Sequence, residues 1–171
     1  WNFSRSFLYA WAEPLTHTGI RAHYPVMDNL MVMAGVNNGW DVVDDNNKAK
    51  TLEFGISSTP AEGVTFSSAY MVGAEGSDSH DQRHLFTSVL GWDPMEKLHL
   101  KLAYDYGHEE DVVSETSGGN GSWQGIAGYA KYDMTERCSL ASRLEFFNDQ
   151  DGARTAVNGS SSPTGSPISD L

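Results

Sequence analysis

The stretch Pro94-Met95-Glu96-Lys97, continuing as Leu98-His99-Leu100-Lys101-Leu102-Ala103-Tyr104-Asp105, decides the fold. Leu98, Leu100, Leu102 and Tyr104 alternate with His99, Lys101 and Asp105. Successive side chains on a strand point to opposite faces, so this alternation describes a strand with one apolar and one polar face. The proline ahead of it fixes φ and lacks the donor that a sheet interior needs, which suits a turn.

The same unit recurs along the chain. Pro25-Val26-Met27-Asp28-Asn29, Pro60-Ala61-Glu62-Gly63 and Met134-Thr135-Glu136-Arg137 are further turn segments. The prolines are spaced by 35 and 34 residues, and Met134 follows Pro94 by 40. Each turn leads into a stripe in the same phase: Leu30, Val32, Ala34 and Val36; Val64, Phe66, Ser68 and Tyr70; Cys138, Leu140, Ser142 and Leu144. Strands also precede the turns, near Thr16 to Tyr24, Thr51 to Thr59, Arg83 to Trp92 and Ser122 to Tyr132. The strands at Leu30, Arg83 and Ser122 carry apolar residues on both faces and are ambiguous. The sum is all-β: an antiparallel up-and-down series of eight strands in four hairpins. Tetratricopeptide repeats share the spacing but need helical periodicity, and propeller blades need four strands per repeat.

Longer connections lie at the opposite end, near Gly39 to Ala49, Ala74 to Gln82, Gly107 to Gly121 and from Asn148 onward. They are acidic, with Asp41, Asp44 and Asp45, then Glu75, Asp78 and Asp81, then Glu109, Glu110 and Asp111. Short turns at one end, long loops at the other and strands of about 10 residues fit a transmembrane β-barrel. No run of about 18 apolar residues offers a spanning helix, but a barrel does not need one. The negative mean hydropathy is silent on this point. The formal net charge of −12 argues against nucleic acid, because phosphate repels such a chain.

Alternation alone does not choose between a soluble barrel with an apolar inside and a membrane barrel with an apolar outside. Two features favour the membrane. Full charges fall mid-strand on the polar face: Glu53, Lys101, Asp105, Arg143 and Glu145. Aromatics fall near strand ends on the apolar face: Tyr24, Tyr70, Trp92, Tyr104, Tyr106, Tyr132 and Phe146. Tyr and Trp favour the membrane interface, where one end of the ring is apolar and the other wet.

Several motifs, fairly specific in combination, resemble the β-barrel porin-2 family of bacterial outer-membrane proteins. They are Asn2-Phe3-Ser4-Arg5-Ser6, Thr16-His17-Thr18-Gly19-Ile20-Arg21-Ala22 with Tyr24-Pro25, and Asn38-Gly39-Trp40-Asp41 with Asp45-Asn46-Asn47-Lys48. Ser79-His80-Asp81 with Arg83-His84, and Tyr104-Asp105-Tyr106-Gly107, extend the likeness to about Phe146. The resemblance implies a pore in the bacterial outer membrane and no particular solute. Members are longer, so the chain is expected to be an internal piece of a barrel, 1-171 forming one incomplete domain.

The expected site follows from phase. The pore wall would carry His17, Arg21, His23, Glu53, Lys101, Asp105, Lys131, Arg143 and Glu145. The lipid-facing side would carry Ile20, Leu52, Phe54, Ile56, Phe66, Leu100, Leu102, Leu140 and Leu144. The segment 1-15 has apolar residues near helical spacing and is a candidate loop folded into the lumen, with Arg5 as the constriction charge. Residues 149-171, with the Gly159 to Pro167 run, read as an extracellular loop.

No metal site or cofactor is expected. His17 and His23 stand about 20 Å apart on one strand, too far to share an ion, and the Asp41 to Asn47 cluster lacks EF-hand spacing. No catalytic set emerges: Cys138 is in phase with the apolar stripe, and no nucleophile or phosphate-loop motif is present. The function expected is therefore passive diffusion of small hydrophilic solutes or ions. The partners are outer-membrane lipid and those solutes; a homo-oligomer is allowed, though no interface signal stands out. The alternative is a soluble or small β-barrel acting as a ligand-binding, structural or adhesive module.

Overall fold

A computed structural model describes residues 1–45, 47–76, 80–113 and 119–155, without the side chains of residues 112 and 113. Asn46, Asp78, Ser79, the Gly159 to Pro167 run and the loop beyond residue 155 lie outside the described residues. Eight strands follow one short helical turn: β1 (Gly19–Met27), β2 (Leu30–Asn37), β3 (Thr51–Ala61), β4 (Val64–Ala74), β5 (Gln82–Met95), β6 (Leu98–Val113), β7 (Gly119–Thr135) and β8 (Cys138–Asn148). They form one antiparallel sheet in chain order. Among the described residues β1 and β8 do not pair with each other, so the sheet is open.

The four short turns are two residues each: Asp28-Asn29, Glu62-Gly63, Glu96-Lys97 and Glu136-Arg137. Gly63 takes φ +70°, a conformation that costs glycine nothing. The prolines do not begin these turns as the sequence suggested. Pro25, Pro60 and Pro94 lie within β1, β3 and β5. A break in register falls between Pro25 and Met27, Ser58 and Ala61, Trp92 and Met95, and Asp133 and Thr135. Proline is tolerated where the ladder is interrupted, since no donor is required there. Adjacent hairpins are linked at this end by backbone bonds: Thr59 N–H to Asn29 O (3.0 Å), Asp93 N–H to Gly63 O (2.7 Å) and Asp133 N–H to Lys97 O (2.9 Å).

Two strand boundaries differ from the sequence expectation. β1 starts at Gly19, which leaves His17 in the segment ahead of it. The loop expected from Gly107 to Gly121 is largely ladder, because β6 runs to Val113 and β7 begins at Gly119. Gly, His and Glu depress strand propensity there, but backbone pairing with a committed neighbour overrides it.

Alternation sorts the sheet into two faces. On β3, Thr51 and Glu53 are buried while Leu52, Phe54 and Ile56 are exposed. On β7, Gly121, Trp123, Gly125 and Ala127 are buried while Gln124 and Ile126 are exposed. The buried face is covered by the N-terminal segment, whose Leu8–Ala12 forms a single π-helical turn. Leu8, Ala12, Trp40, Met71, Leu85, Trp123, Ala127 and Phe147 make the core on that side. Glycine permits the close approach. A side chain at Gly107 would collide with the Trp123 ring, and one at Gly125 would collide with Leu8. Cys138 is exposed at the first position of β8.

Candidate functional site

The covered face holds the charged side chains, in two groups separated by the core. Toward the long loops, the buried Glu53 carboxylate is the hub. It accepts from Asn37 Nδ2 (2.5 Å) and Arg21 Nε (2.7 Å), and His17 Nδ1 lies 2.5 Å away. Cross-strand register explains this: Arg21, Gly35 and Glu53 are aligned across β1, β2 and β3, and glycine in the middle leaves room for the ion pair. Beyond it Arg83 pairs with Glu109 at 2.6 Å, again by direct register.

Aromatics close this end. Trp40 and Trp123 meet edge to face with centroids 6.0 Å apart. Arg83 and Arg154 stack on Trp40, and Arg154 also reaches Trp123. Burial pulls the Arg154 guanidinium below its ordinary pKa. At the loop surface, a hydrogen bond from Lys50 holds the Asp45 carboxyl below its ordinary range.

The N-terminal segment is tied down across the sheet. Trp123 Nε1 donates to Ala12 O at 3.1 Å, and Phe7 N–H donates to Glu145 Oε2 at 2.8 Å. Arg143 donates to Ser4 O (2.7 Å), to Ser4 Oγ (3.0 Å) and to Arg5 O (3.1 Å), while its Nε bonds Glu145 at 2.9 Å. Glu13 accepts from Thr87 Oγ1 at 3.2 Å on β5. Burial pushes the Glu13 carboxyl above its ordinary pKa, and the Thr87 hydrogen bond offsets part of that rise.

Toward the short turns, Lys101 sits over the Trp1 ring, and Arg5 over Tyr9. His99 bridges Asp93 (2.8 Å) and Asp133 (3.1 Å), and Lys131 pairs with Asp133 at 2.8 Å.

The sequence-selected residues therefore fall as follows. His17, Arg21 and Glu53 come together; Arg143 and Glu145 pair; Lys131 joins Asp133. His23 lies on the same face of β1, beside a cavity with Met31 and Met33. Glu53 and Asp105 are 3% and 1% exposed, so in this structure neither faces open water; the N-terminal segment covers that part of the wall. On the other face, Ile20, Leu52, Phe54, Ile56, Leu102, Leu140 and Leu144 are exposed, with Phe66 and Leu100 half-buried. Among the described residues no cluster of His, Cys, Asp or Glu can hold a metal ion, and no helix is long and apolar enough to cross a membrane, which says nothing of a barrel.

The phase of the strands did not place Trp40, Trp123, Phe147, Glu13, Arg83, Glu109 or Arg154 at the site, although Trp40 and Arg83 fall in the motifs and Glu109 in an acidic stretch noted from the sequence. Apolar residues on both faces of the strands at Arg83 and Ser122 were the available signal, since a strand covered twice needs no polar face.

Residues 1–170 match the family described as "Putative beta-barrel porin-2, OmpL-like". The chain belongs to this family. Its eight up-and-down strands, with almost no helix, are consistent with a porin-like barrel. No curated protein and no solved structure matches the chain.

Proposed function

We propose that this porin-like chain builds part of the wall of a bacterial outer-membrane channel through which small hydrophilic solutes or ions diffuse, without catalysis. The observation that carries the reading is the uncovered face. Ile20 is 78%, Leu140 64% and Leu144 81% exposed, within a field of exposed Phe, Leu and Ile that runs across the sheet. Monomeric soluble proteins rarely leave so large a contiguous apolar surface open to water, whereas lipid would satisfy it. A ladder that pairs strand to strand also spares the backbone unpaired groups in hydrocarbon.

Selectivity would follow from the charges of the covered face and from the N-terminal segment, which narrows whatever lumen these strands border. An eight-stranded barrel is nearly filled by its own side chains, so conduction calls for more wall than these strands supply.

The test is conductance of the full-length protein in planar bilayers, with detergent partitioning alongside. Discrete conductance steps together with a detergent requirement are the expected result. Solubility without detergent and silent bilayers would favour a ligand-binding or structural module instead.

A further inference from the structure

The charge distribution on the covered face is uneven, and one part of it is unbalanced. Glu53, Glu109, Glu145, Asp93 and Asp133 all have basic partners, whereas Glu13 and the buried Asp105 form no salt bridge among the described residues. Arg5 and Lys101 form no salt bridge among the described residues. Each rests instead on an aromatic face, Lys101 Nζ 4.8 Å from the Trp1 centroid and Arg5 Cζ 4.7 Å from that of Tyr9. A ring face holds a cation in place without neutralising it.

Both cations line one cavity of about 390 Å³, together with Trp1, Tyr9, Tyr129, Arg143 and one carboxyl, Glu13, which is bonded to Thr87. The volume is within the range of small-molecule sites. A second cavity of about 450 Å³ toward the short turns shares Lys101 and Val89 with it, so Lys101 stands where the two spaces meet. Trp1 and Tyr9 are 51% and 40% exposed, which leaves ring surface for a ligand. In a chain of net charge −12, two cations without a salt-bridge partner, beside Arg143 and a single carboxyl, give an anion a local place to go.

We infer that this cleft is a binding site for a small organic anion, a ring bearing carboxylates, held by Lys101 and Arg5 and stacked against Trp1 or Tyr9. This rests on the channel reading only for its physiological use, as a station where such a solute pauses on its way through. The binding itself requires no conduction.

The test is isothermal titration calorimetry of the full chain in detergent micelles at low salt, with benzene-1,3-dicarboxylate as the probe and its uncharged diamide as the control. The dicarboxylate should bind and the diamide should not. Lys101→Met should weaken binding about tenfold, the loss of one charge-assisted hydrogen bond, and Lys101→Arg should restore most of it. Arg5→Met should act in the same direction. Lys48→Met, a loop cation outside the cleft, should leave binding within about twofold. Unchanged far-ultraviolet circular dichroism in each variant secures the fold. Equal binding of the diamide, equal loss in Lys48→Met, or no binding by the parent chain would each overturn the site. Conductance without dicarboxylate binding would refute the site and keep the channel; binding with silent bilayers would do the reverse.

Discussion

On β3, the buried residues are Thr51 and Glu53 and the exposed ones are Leu52, Phe54 and Ile56; on β7, Trp123 and Ala127 are buried opposite an equally exposed Ile126. β3 inverts the rule for water-soluble strands, whereas β7 buries apolar residues at Trp123 and Ala127 and exposes another at Ile126. The difference separates two kinds of apolar surface in one sheet. The surface around Trp123 is closed by the chain itself, through Leu8, Ala12 and Phe147. The surface around Phe54 and Leu144 is closed by nothing among the described residues. Buried polarity on β3 is tolerable because every charge there is paired, and exposed apolarity is tolerable only if the surroundings are apolar too.

The largest expected effect tests the closed surface. Trp123→Ala removes a buried ring, its stack on Trp40 and its bond to Ala12, and should cost about 3–5 kcal/mol in detergent unfolding. A cost near zero would mean that the N-terminal segment does not pack there. Next comes the open surface. Leu102→Arg should lower the stability of protein refolded into lipid vesicles by about 2–4 kcal/mol if this residue meets the bilayer midplane. An unchanged value would return that face to water and dissolve the contrast.

Smaller still, Glu53→Gln should cost about 1–3 kcal/mol, because Arg21 loses its charge partner on the covered side. The smallest effect concerns Glu13. Its pKa is raised, so the folded chain holds that proton more tightly than the unfolded chain does. Docking of the segment is therefore tightest at pH values below the ordinary carboxyl value of 4.5 and weakens as pH rises through the raised value. Tryptophan quenching by acrylamide should increase over that window in the parent chain, and Glu13→Gln should flatten the rise.

The hairpin plan was legible because a period of two over eight or more residues has one structural meaning, as at Leu98 to Tyr104. So was the sorting of Phe54 from Glu53, which follows from phase alone. The contacts of the covered face were not. Phe7 meets Glu145 across 138 positions of sequence, and Trp123 meets Ala12 across 111. No local pattern encodes pairings that depend on where a short segment comes to rest. Asp105 illustrates the cost: its place on the polar face was readable, and its burial under that segment was not. The extension of β6 through Glu109 to Val113 failed for a related reason, since a poor strand former pairs when its neighbour already does.

The stitches from Thr59 to Asn29, Asp93 to Gly63 and Asp133 to Lys97 repeat one connection between successive hairpins. A fold assembled from interchangeable staves has a simple route to a different girth. Copying or dropping one pair of strands preserves every joint on either side, so evolution can resize such a wall without redrawing it.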